Sequence, residues 1–208
     1  MSDHLHTYLA LGDSYTIGET LPLYENYPYQ AVQLLRQAGH AFSAPEIIAR
    51  TGWTTGNLQE RIHQTHFQPP YDIVSLLIGV NNQYQDLSPD EYRRDFESLL
   101  QQAIAFAGNR PGRVFVLSIP DWSATVLDDH HQPNQQTISN AIDLFNRHNE
   151  AIAAQYGVHY LNITPGSRLA STDFSMLAID LLHYSAKEYG RWAAILAEAI
   201  QKALQTRG

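Results

Sequence analysis

Two short runs of nearly uninterrupted apolar residues constrain the fold of this chain more than any other feature. Residues 73–78 read IVSLLI and residues 114–119 read VFVLSI. A strand with one wet face alternates apolar and polar side chains, so these runs predict strands that are buried on both faces, as in a parallel sheet covered by helices. Three further β-rich runs are predicted strands, at residues 7–11, 46–50 and 158–163.

Helical patterns separate these strands. Apolar side chains recur at three- and four-residue intervals in five segments, at residues 26–38, 55–66, 89–107, 137–156 and 185–204. Alternation of strands and helices from end to end predicts an α/β fold with right-handed crossovers. We expect a three-layer α/β/α sandwich, with a five-stranded parallel sheet in the flavodoxin-like order 2-1-3-4-5, and a single domain over residues 1–208.

Composition excludes several classes of function. The 208 residues contain no cysteine, which rules out disulfides, thiolate metal sites and a cysteine nucleophile. The net charge is -8 with no basic run to offset it, so neither nucleic acid nor an anionic membrane is an expected partner. No stretch is apolar enough to span a bilayer. No signal peptide is visible, so a cytoplasmic location is expected, although a processed mature form would look the same.

The first candidate for chemistry is Ser14, in the tripeptide Gly12-Asp13-Ser14 directly after the first predicted strand. A turn at the carboxyl end of a central strand presents the hydroxyl at the sheet edge where α/β proteins bind ligands. A free hydroxyl is a poor nucleophile and needs a neighbouring base. Taken alone, the tripeptide is more typical of a turn with a helix cap.

A candidate base lies near the carboxyl end of the chain, in Asp180-Leu181-Leu182-His183. An aspartate three residues before a histidine can meet its ring and orient it, which leaves the other ring nitrogen free to take a proton. Taken alone, the pair is more typical of a cap at a helix entry followed by an exposed histidine.

Two further residues are candidate oxyanion donors. Asn81 follows the third predicted strand, and its amide could stabilise a developing oxyanion. The predicted strand order makes the first and third strands neighbours, so Ser14 and Asn81 would flank one switch point. Gly52, in the loop after the second strand, could offer its backbone N–H. Without Ser14, both would be read as ordinary loop residues.

These residues resemble the conserved blocks of the GDSL/SGNH hydrolases, a family of serine esterases and lipases. Four blocks occur in the family's order, at residues 9–14 (LALGDS), 51–55 (TGWTT), 79–81 (GVN) and 180–183 (DLLH). The resemblance implies that Ser14 is the nucleophile, that His183 is the base and then the acid, and that Asp180 orients His183. It also implies an oxyanion hole formed by the Ser14 N–H, the Gly52 N–H and the Asn81 amide. No cofactor and no metal is implied.

The chain departs from the family pattern at two positions. Tyr15 follows the nucleophile where leucine is usual, and we expect this to alter the pocket rather than the chemistry. Asn82 stands where aspartate is frequent, which puts a local structural hydrogen bond in doubt. Further candidates for substrate-binding residues are Tyr84 and Trp122, followed by Ile17, Phe174 and Met176.

The predicted function is that of a serine esterase, which hydrolyses small carboxylic esters through an acyl-enzyme. The substrate would be a small-molecule or glycan ester. The alternatives are a carbohydrate deacetylase or acyltransferase with the same triad, and a flavodoxin-like module that binds a nucleotide or flavin. The lack of a Gly-x-Gly-x-x-Gly or P-loop motif disfavours the module. Asp128-Asp129-His130-His131 is interpreted as a solvated loop rather than a metal site, and His4 and His6 as part of a frayed terminus.

Overall fold

The computed structural model of the chain describes residues 4–125 and 135–205. Five strands form one parallel sheet in the order β2-β1-β3-β4-β5, which confirms the predicted topology. The strands are β1 (Tyr8–Gly12), β2 (Glu46–Ala49), β3 (Ile73–Leu77), β4 (Val114–Leu117) and β5 (His159–Leu161). The cluster Asp128–His131 lies outside the described residues, and the assignment of residues 1–208 to a single domain stays a prediction.

The apolar runs occupy the middle of the sheet, as predicted from their composition. Every residue of β1, β3 and β4 is buried, whereas the edge strands β2 and β5 are only partly covered. In the register of the central pair, Leu11 lies beside Leu76 and Gly12 beside Leu77. The carboxyl ends of β1 and β3 therefore reach the same edge of the sheet at the same height.

Eight α-helices surround the sheet in the described part of the chain. They are α1 (Ser14–Ile17), α2 (Tyr27–Gln37), α3 (Thr55–Gln64), α4 (Val80–Tyr84), α5 (Pro89–Phe106), α6 (Gln135–Tyr156), α7 (Thr164–Ser167) and α8 (Ala186–Gln205). Helices α2 and α8 pack together, and α5 packs against α3 and α6, which gives the three-layer α/β/α sandwich. No helix among residues 4–125 and 135–205 is long and apolar enough to cross a membrane.

The five longer helices match the predicted segments, while α1, α4 and α7 were not predicted. These three have only four or five residues, and each follows the carboxyl end of a strand, namely β1, β3 and β5. A helix of little more than one turn is too short to show a repeating apolar pattern, so periodicity cannot reveal it. Their placement concentrates short helical turns at one edge of the sheet.

The side chain of Asn82, in α4, forms hydrogen bonds to the first residue of α3. Its side chain is almost fully buried; the Oδ1 atom accepts a hydrogen bond from the Thr55 N–H at 3.0 Å, and Nδ2 donates to Thr55 Oγ1 at 2.8 Å. Thr55 Oγ1 in turn donates to Asp95 Oδ2 at 3.1 Å. The hydrogen bond that the sequence put in doubt is therefore present, because an amide can both donate and accept here.

We expect Asn82→Ala to lower the free energy of unfolding by about 1–3 kcal/mol, since it leaves the buried Thr55 N–H without an acceptor. Denaturant unfolding followed by circular dichroism measures this. The matched control is Gln85→Ala, which removes an exposed amide three residues away and should change stability little. Equal losses in the two variants would contradict a structural role for the Asn82 hydrogen bonds.

Candidate active site

The turn after β1 is shaped by a close backbone approach at Gly12. A Cβ atom built there would lie 2.0 Å from Thr16 Oγ1 and 2.5 Å from the Leu77 carbonyl oxygen, so only glycine fits without a shift. Asp13 caps the short helix α1, and its Oδ1 accepts a hydrogen bond from the Tyr15 N–H at 3.0 Å. Ser14 is the first residue of α1, and its N–H has no hydrogen-bond acceptor in the described part of the chain.

Asp180 and His183 form a tight pair. The Asp180 Oδ2 lies 2.6 Å from His183 Nδ1, while Oδ1 accepts hydrogen bonds from the N–H groups of Leu182 at 3.1 Å and His183 at 3.0 Å. The alternative of a helix cap with an exposed histidine is wrong, because α8 begins only at Ala186 and His183 is 8% exposed.

The pKa of Asp180 reflects these contacts. Burial acts to raise the pKa, but the hydrogen bonds from the His183 ring and from the two backbone N–H groups outweigh it and lower the pKa below the ordinary value. The carboxylate is therefore ionised at neutral pH and can stabilise a positive charge on the imidazole. With Nδ1 held by Asp180, Nε2 is the ring nitrogen left to act as a base.

Ser14, Asn81 and His183 line one pocket of about 280 Å³. This is smaller than the roughly 300–1,000 Å³ of pockets that hold drug-sized ligands. No hydrogen bond joins Ser14 Oγ to His183 among residues 4–125 and 135–205, although both side chains face the same space. Contacts between a nucleophile and its base are often long in a free enzyme and shorten when substrate binds.

The candidate oxyanion donors differ in their position. Asn81 lines the pocket, and its Nδ2 donates one hydrogen bond to the Trp53 carbonyl oxygen at 2.9 Å, which leaves the second amide N–H for a ligand. Gly52 lies one residue before Trp53, in the left-handed region with φ +79, but it is not among the residues that line the pocket. The Gly52 N–H donates to no acceptor in the described segments.

A contact that the sequence did not reveal holds the Gly52 turn in place. The Thr51 hydroxyl donates to the carboxylate of Glu19, which lies just after α1. The turn is thus attached both to the Ser14 helix through Glu19 and to Asn81 through the Trp53 carbonyl. No motif includes Glu19, and only its proximity to the nucleophile block could have suggested it.

The three predicted substrate-binding residues, Tyr15, Tyr84 and Trp122, all line the pocket. Trp122 is fixed by a hydrogen bond from Nε1 to Gln83 Oε1 at 2.6 Å, and its ring meets that of Tyr84 edge to face at 5.3 Å. The ring of Tyr15 lies 5.7 Å from that of His183, and burial raises the Tyr15 pKa far above its ordinary value, so its hydroxyl stays neutral.

The sequence missed some pocket residues and proposed others that lie elsewhere. Val80 and Leu182 line the pocket, and each lies next to a motif residue. Gln83 is not among the lining residues, but its Oε1 accepts the hydrogen bond from Trp122 Nε1. The residues that line the pocket do not include the weaker candidates Ile17, Phe174 and Met176. Phe174 is 55% exposed and Met176 is part of the apolar core. Adjacency to a motif was the better guide to the pocket.

Comparison with known families distinguishes the ester hydrolase from the flavodoxin-like binding module. The profile of the GDSL-like lipase/acylhydrolase family matches residues 10–191, nearly the whole chain. The chain belongs to this family. Membership confirms the predicted enzyme class, a hydrolase of carboxylic esters, and argues against the flavodoxin-like binding module. No curated protein matches the sequence significantly.

Solved structures of GDSL-type enzymes share the fold. The esterase EstA from Pseudoalteromonas sp., inhibited by monoethylphosphonate, superposes with a TM-score of 0.73 at 15% identity over 97% of this chain and 100% of its own. The lipase/acylhydrolase from Enterococcus faecalis superposes with a TM-score of 0.74 at 14% identity, over 95% of this chain and 96% of its own. An Axe2 mutant, an acetyl-xylooligosaccharide esterase from Geobacillus, superposes with a TM-score of 0.69 at 19% identity, over 97% of this chain and 95% of its own. At these identities the similarity shows the shared fold.

A second carboxyl group lies beside the candidate nucleophile. Asp13 is completely buried, and its Oδ2 has no hydrogen-bond partner in the described part of the chain. Burial raises the pKa of Asp13 from 3.8 to about 7, because the hydrogen bonds to its other oxygen only partly compensate for the loss of solvent. The folded protein therefore holds a proton here that the unfolded chain releases near pH 4.

This proton makes a testable contribution to stability. Between about pH 4 and pH 7 the folded state binds more protons at Asp13 than the unfolded state, so this group lowers stability as the pH rises through that range. We expect Asp13→Asn to remove this contribution, so that its stability relative to the parent chain increases from pH 4 to pH 7. Denaturant unfolding at several pH values measures the difference.

The matched control for that experiment is Asp86→Asn, which changes an exposed carboxylate. Its stability relative to the parent chain should vary little over the same pH range, because the Asp86 side chain is exposed in the folded protein as it is in the unfolded chain. A constant difference between Asp13→Asn and the parent chain from pH 4 to pH 7 would contradict a raised pKa at Asp13.

Proposed function

We propose that this GDSL-type enzyme hydrolyses short-chain carboxylic esters through an acyl-enzyme. The observation that carries the proposal is that the Ser14 hydroxyl, the Asn81 amide and the His183 ring line one small pocket, with the Asp180 carboxylate 2.6 Å behind the ring. An attacking hydroxyl, a base and a hydrogen-bond donor that face one volume are the groups that acyl transfer requires.

In the proposed first half-reaction, Ser14 Oγ attacks the ester carbonyl carbon while His183 Nε2 takes the hydroxyl proton. The Asp180 carboxylate stabilises the imidazolium that forms. The oxyanion accepts hydrogen bonds from the Ser14 N–H and from the second amide N–H of Asn81, and both residues line the pocket. Collapse of the tetrahedral intermediate breaks the bond to the alcohol oxygen, which leaves with the proton from His183.

The second half-reaction repeats these steps with water as the nucleophile. His183 takes a proton from water, the hydroxide oxygen attacks the acyl carbon, and the carboxylic acid leaves as Ser14 Oγ regains its proton. The same oxyanion donors serve both steps because the carbonyl oxygen occupies the same place. If an alcohol replaced water, the outcome would be acyl transfer.

The pocket walls favour a short acyl group. Trp122 cannot swing away easily, since Gln83 holds its indole nitrogen and the ring of Tyr84 packs against it. Val80 and Leu182 supply further apolar surface. A pocket of about 280 Å³ that is bounded by Trp122 favours a small acyl group.

A carbohydrate ester is the second candidate substrate, and one feature favours it. A separate groove of about 450 Å³ is lined by Trp53, Arg50 and Arg61 with other polar side chains. Its Trp53 is the residue whose carbonyl oxygen accepts the Asn81 hydrogen bond, so the groove begins beside the candidate oxyanion hole. The half-buried indole of Trp53, among polar side chains, provides a stacking surface for a sugar ring.

We expect Ser14→Ala to lower kcat for an aryl acetate by at least about 10³-fold, since the nucleophile is lost. The variant should keep its unfolding midpoint because the Ser14 hydroxyl makes no hydrogen bond within residues 4–125 and 135–205. A fluorophosphonate should label the parent chain once, with the adduct mapped to Ser14 by mass spectrometry. Ser171→Ala, at an exposed serine, is the control; full activity in Ser14→Ala would contradict the proposal.

A substrate panel tests the acyl pocket. We expect Trp122→Ala to raise kcat/KM for a p-nitrophenyl octanoate relative to the acetate by at least about tenfold, because the truncated wall admits a longer chain. Tyr24→Ala, which truncates an exposed tyrosine, should leave that ratio unchanged. An unaltered ratio in Trp122→Ala would show that Trp122 does not bound the acyl site.

Acetylated xylo-oligosaccharides in the same panel test the second candidate substrate, a carbohydrate ester. A kcat/KM for these sugars below that for the aryl acetate would contradict this second candidate.

A further inference from the structure

Three potential metal ligands converge at the sheet edge opposite the pocket. His4 and His6 precede β1 and Asp72 precedes β3, so they lie at the amino ends of strands whose carboxyl ends lead to Ser14 and Asn81. The interpretation of the two histidines as part of a frayed terminus is wrong. The His6 N–H donates to the Ala41 carbonyl oxygen at 2.8 Å, and the side chain of His6 is only 17% exposed.

The spacing of the ligand atoms suits a bound cation. His4 Nε2 lies 3.0 Å from both oxygens of Asp72, and His6 Nδ1 lies 3.8 Å from Asp72 Oδ2. One ligand atom from each residue lies within 4.8 Å of the other two. Ligands at about 2.0–2.2 Å from a tetrahedral zinc ion are separated from one another by about 3.3–3.6 Å. The two separations that involve Asp72 are therefore within about half an ångström of those that one shared zinc ion requires.

The buried Nδ1 atom of His6 distinguishes this cluster from a simple ion pair. Its Nδ1 is shielded from solvent and has no hydrogen-bond partner in the described part of the chain. The 3.8 Å between Nδ1 and the carboxylate is too long for a hydrogen bond, yet the two acceptor-capable groups face each other. A cation between them would give the buried nitrogen the partner that it lacks.

The surroundings hold Asp72 in place as the second shell of a metal site does. Its Oδ2 accepts a hydrogen bond from the Thr7 N–H at 2.9 Å, and the Asp72 N–H donates to Thr7 Oγ1 at 3.1 Å. Asp72 Oδ1 is bonded only by His4 among the described residues, while Oδ2, which lies 3.8 Å from His6 Nδ1, also accepts the Thr7 hydrogen bond, so the carboxylate offers an ion either oxygen.

The charges near His6 favour one class of metal. The guanidinium of Arg113 lies close enough to His6 to act on it electrostatically. A neutral imidazole is the form that binds metals. The nearby Arg113 opposes any cation, which disfavours ions held by charge alone and favours those that bond strongly to imidazole nitrogen.

We propose that His4, His6 and Asp72 bind a zinc ion or a similar divalent transition metal ion, with solvent as the fourth ligand. The site joins the segment before β1 to the start of β3 and is therefore structural. It lies at the other end of both strands from the candidate active site, so the ion takes no part in ester hydrolysis.

The test uses the full chain without a histidine tag, freed of metal by a chelator. We expect isothermal titration with zinc chloride to give one saturable site per chain and zinc to raise the thermal unfolding midpoint, whereas magnesium does neither. His4→Gln should weaken zinc binding by about 10-fold or more through loss of a ligand, and Asp72→Asn should do the same. His4 is exposed, so its substitution leaves the core intact.

The matched control is His63→Gln, which removes an exposed histidine from α3 and should bind zinc like the parent chain. No saturable binding by the parent chain would overturn the proposal and leave an ordinary His4–Asp72 ion pair. Equal zinc affinity in the parent chain, His4→Gln and Asp72→Asn would overturn it too. Ester hydrolysis by His4→Gln should match that of the parent chain, so the result does not depend on the proposed function.

Discussion

The parallel pairing of β1 with β3 is the constraint on which the rest of the structure depends. Its register places Gly12 beside Leu77, and the gap between the two strands is so small that a Cβ atom on Gly12 would collide with the Leu77 carbonyl oxygen. Ser14 follows two residues after Gly12, and Asn81 four after Leu77. A shift of the register by one residue would separate them and turn the side chains of one strand to the other face of the sheet.

The two carboxylates beside the candidate catalytic side chains show how local surroundings set protonation. Asp180 accepts three hydrogen bonds, which lower its pKa despite partial burial. Asp13 accepts too few to offset complete burial, and its pKa rises to about 7. Ser14 therefore lies next to a group that is largely neutral below pH 7, while His183 lies against a fixed negative charge. In the proposed reaction, the ionised Asp180 stabilises the positive charge that His183 gains when it takes the serine proton.

The sequence predicted those features that repeat or alternate along the chain. The five long helices could be found because each runs over enough residues to show a period, and the central strands because their runs are almost wholly apolar. The alternation of strands and helices predicted a parallel sheet covered by helices, for which the flavodoxin-like strand order was the expected topology. Ser14 and Asn81 could be found because each follows a predicted strand, and His183 because Asp180 lies three residues before it; all three also lie in blocks that resemble those of the family. The short helices α1, α4 and α7 escaped detection because four or five residues show no period.

What the sequence could not predict depends on contacts between distant segments. Nothing in the neighbourhood of Asn82 indicates that Thr55 offers both a donor and an acceptor, and nothing near His6 indicates that Asp72 lies opposite. The position of Gly52 outside the pocket lining is of the same kind, since it depends on how Glu19 and Asn81 hold the turn. Each of these contacts joins segments that are distant in the sequence and become neighbours only in the folded protein.

The two ends of the strands therefore differ in how completely their polar groups are hydrogen-bonded. At the carboxyl ends, short helices and turns leave N–H groups and side chains unpaired so that a substrate can use them, which costs stability. At the amino ends, the chain has no such need, and Asp72 there gathers hydrogen bonds from Thr7 and His4. Because β1 and β3 are buried throughout their length and paired residue by residue, contacts that fix their amino ends also fix the register of their carboxyl ends. An interaction far from the pocket can in this way preserve its geometry without touching the substrate.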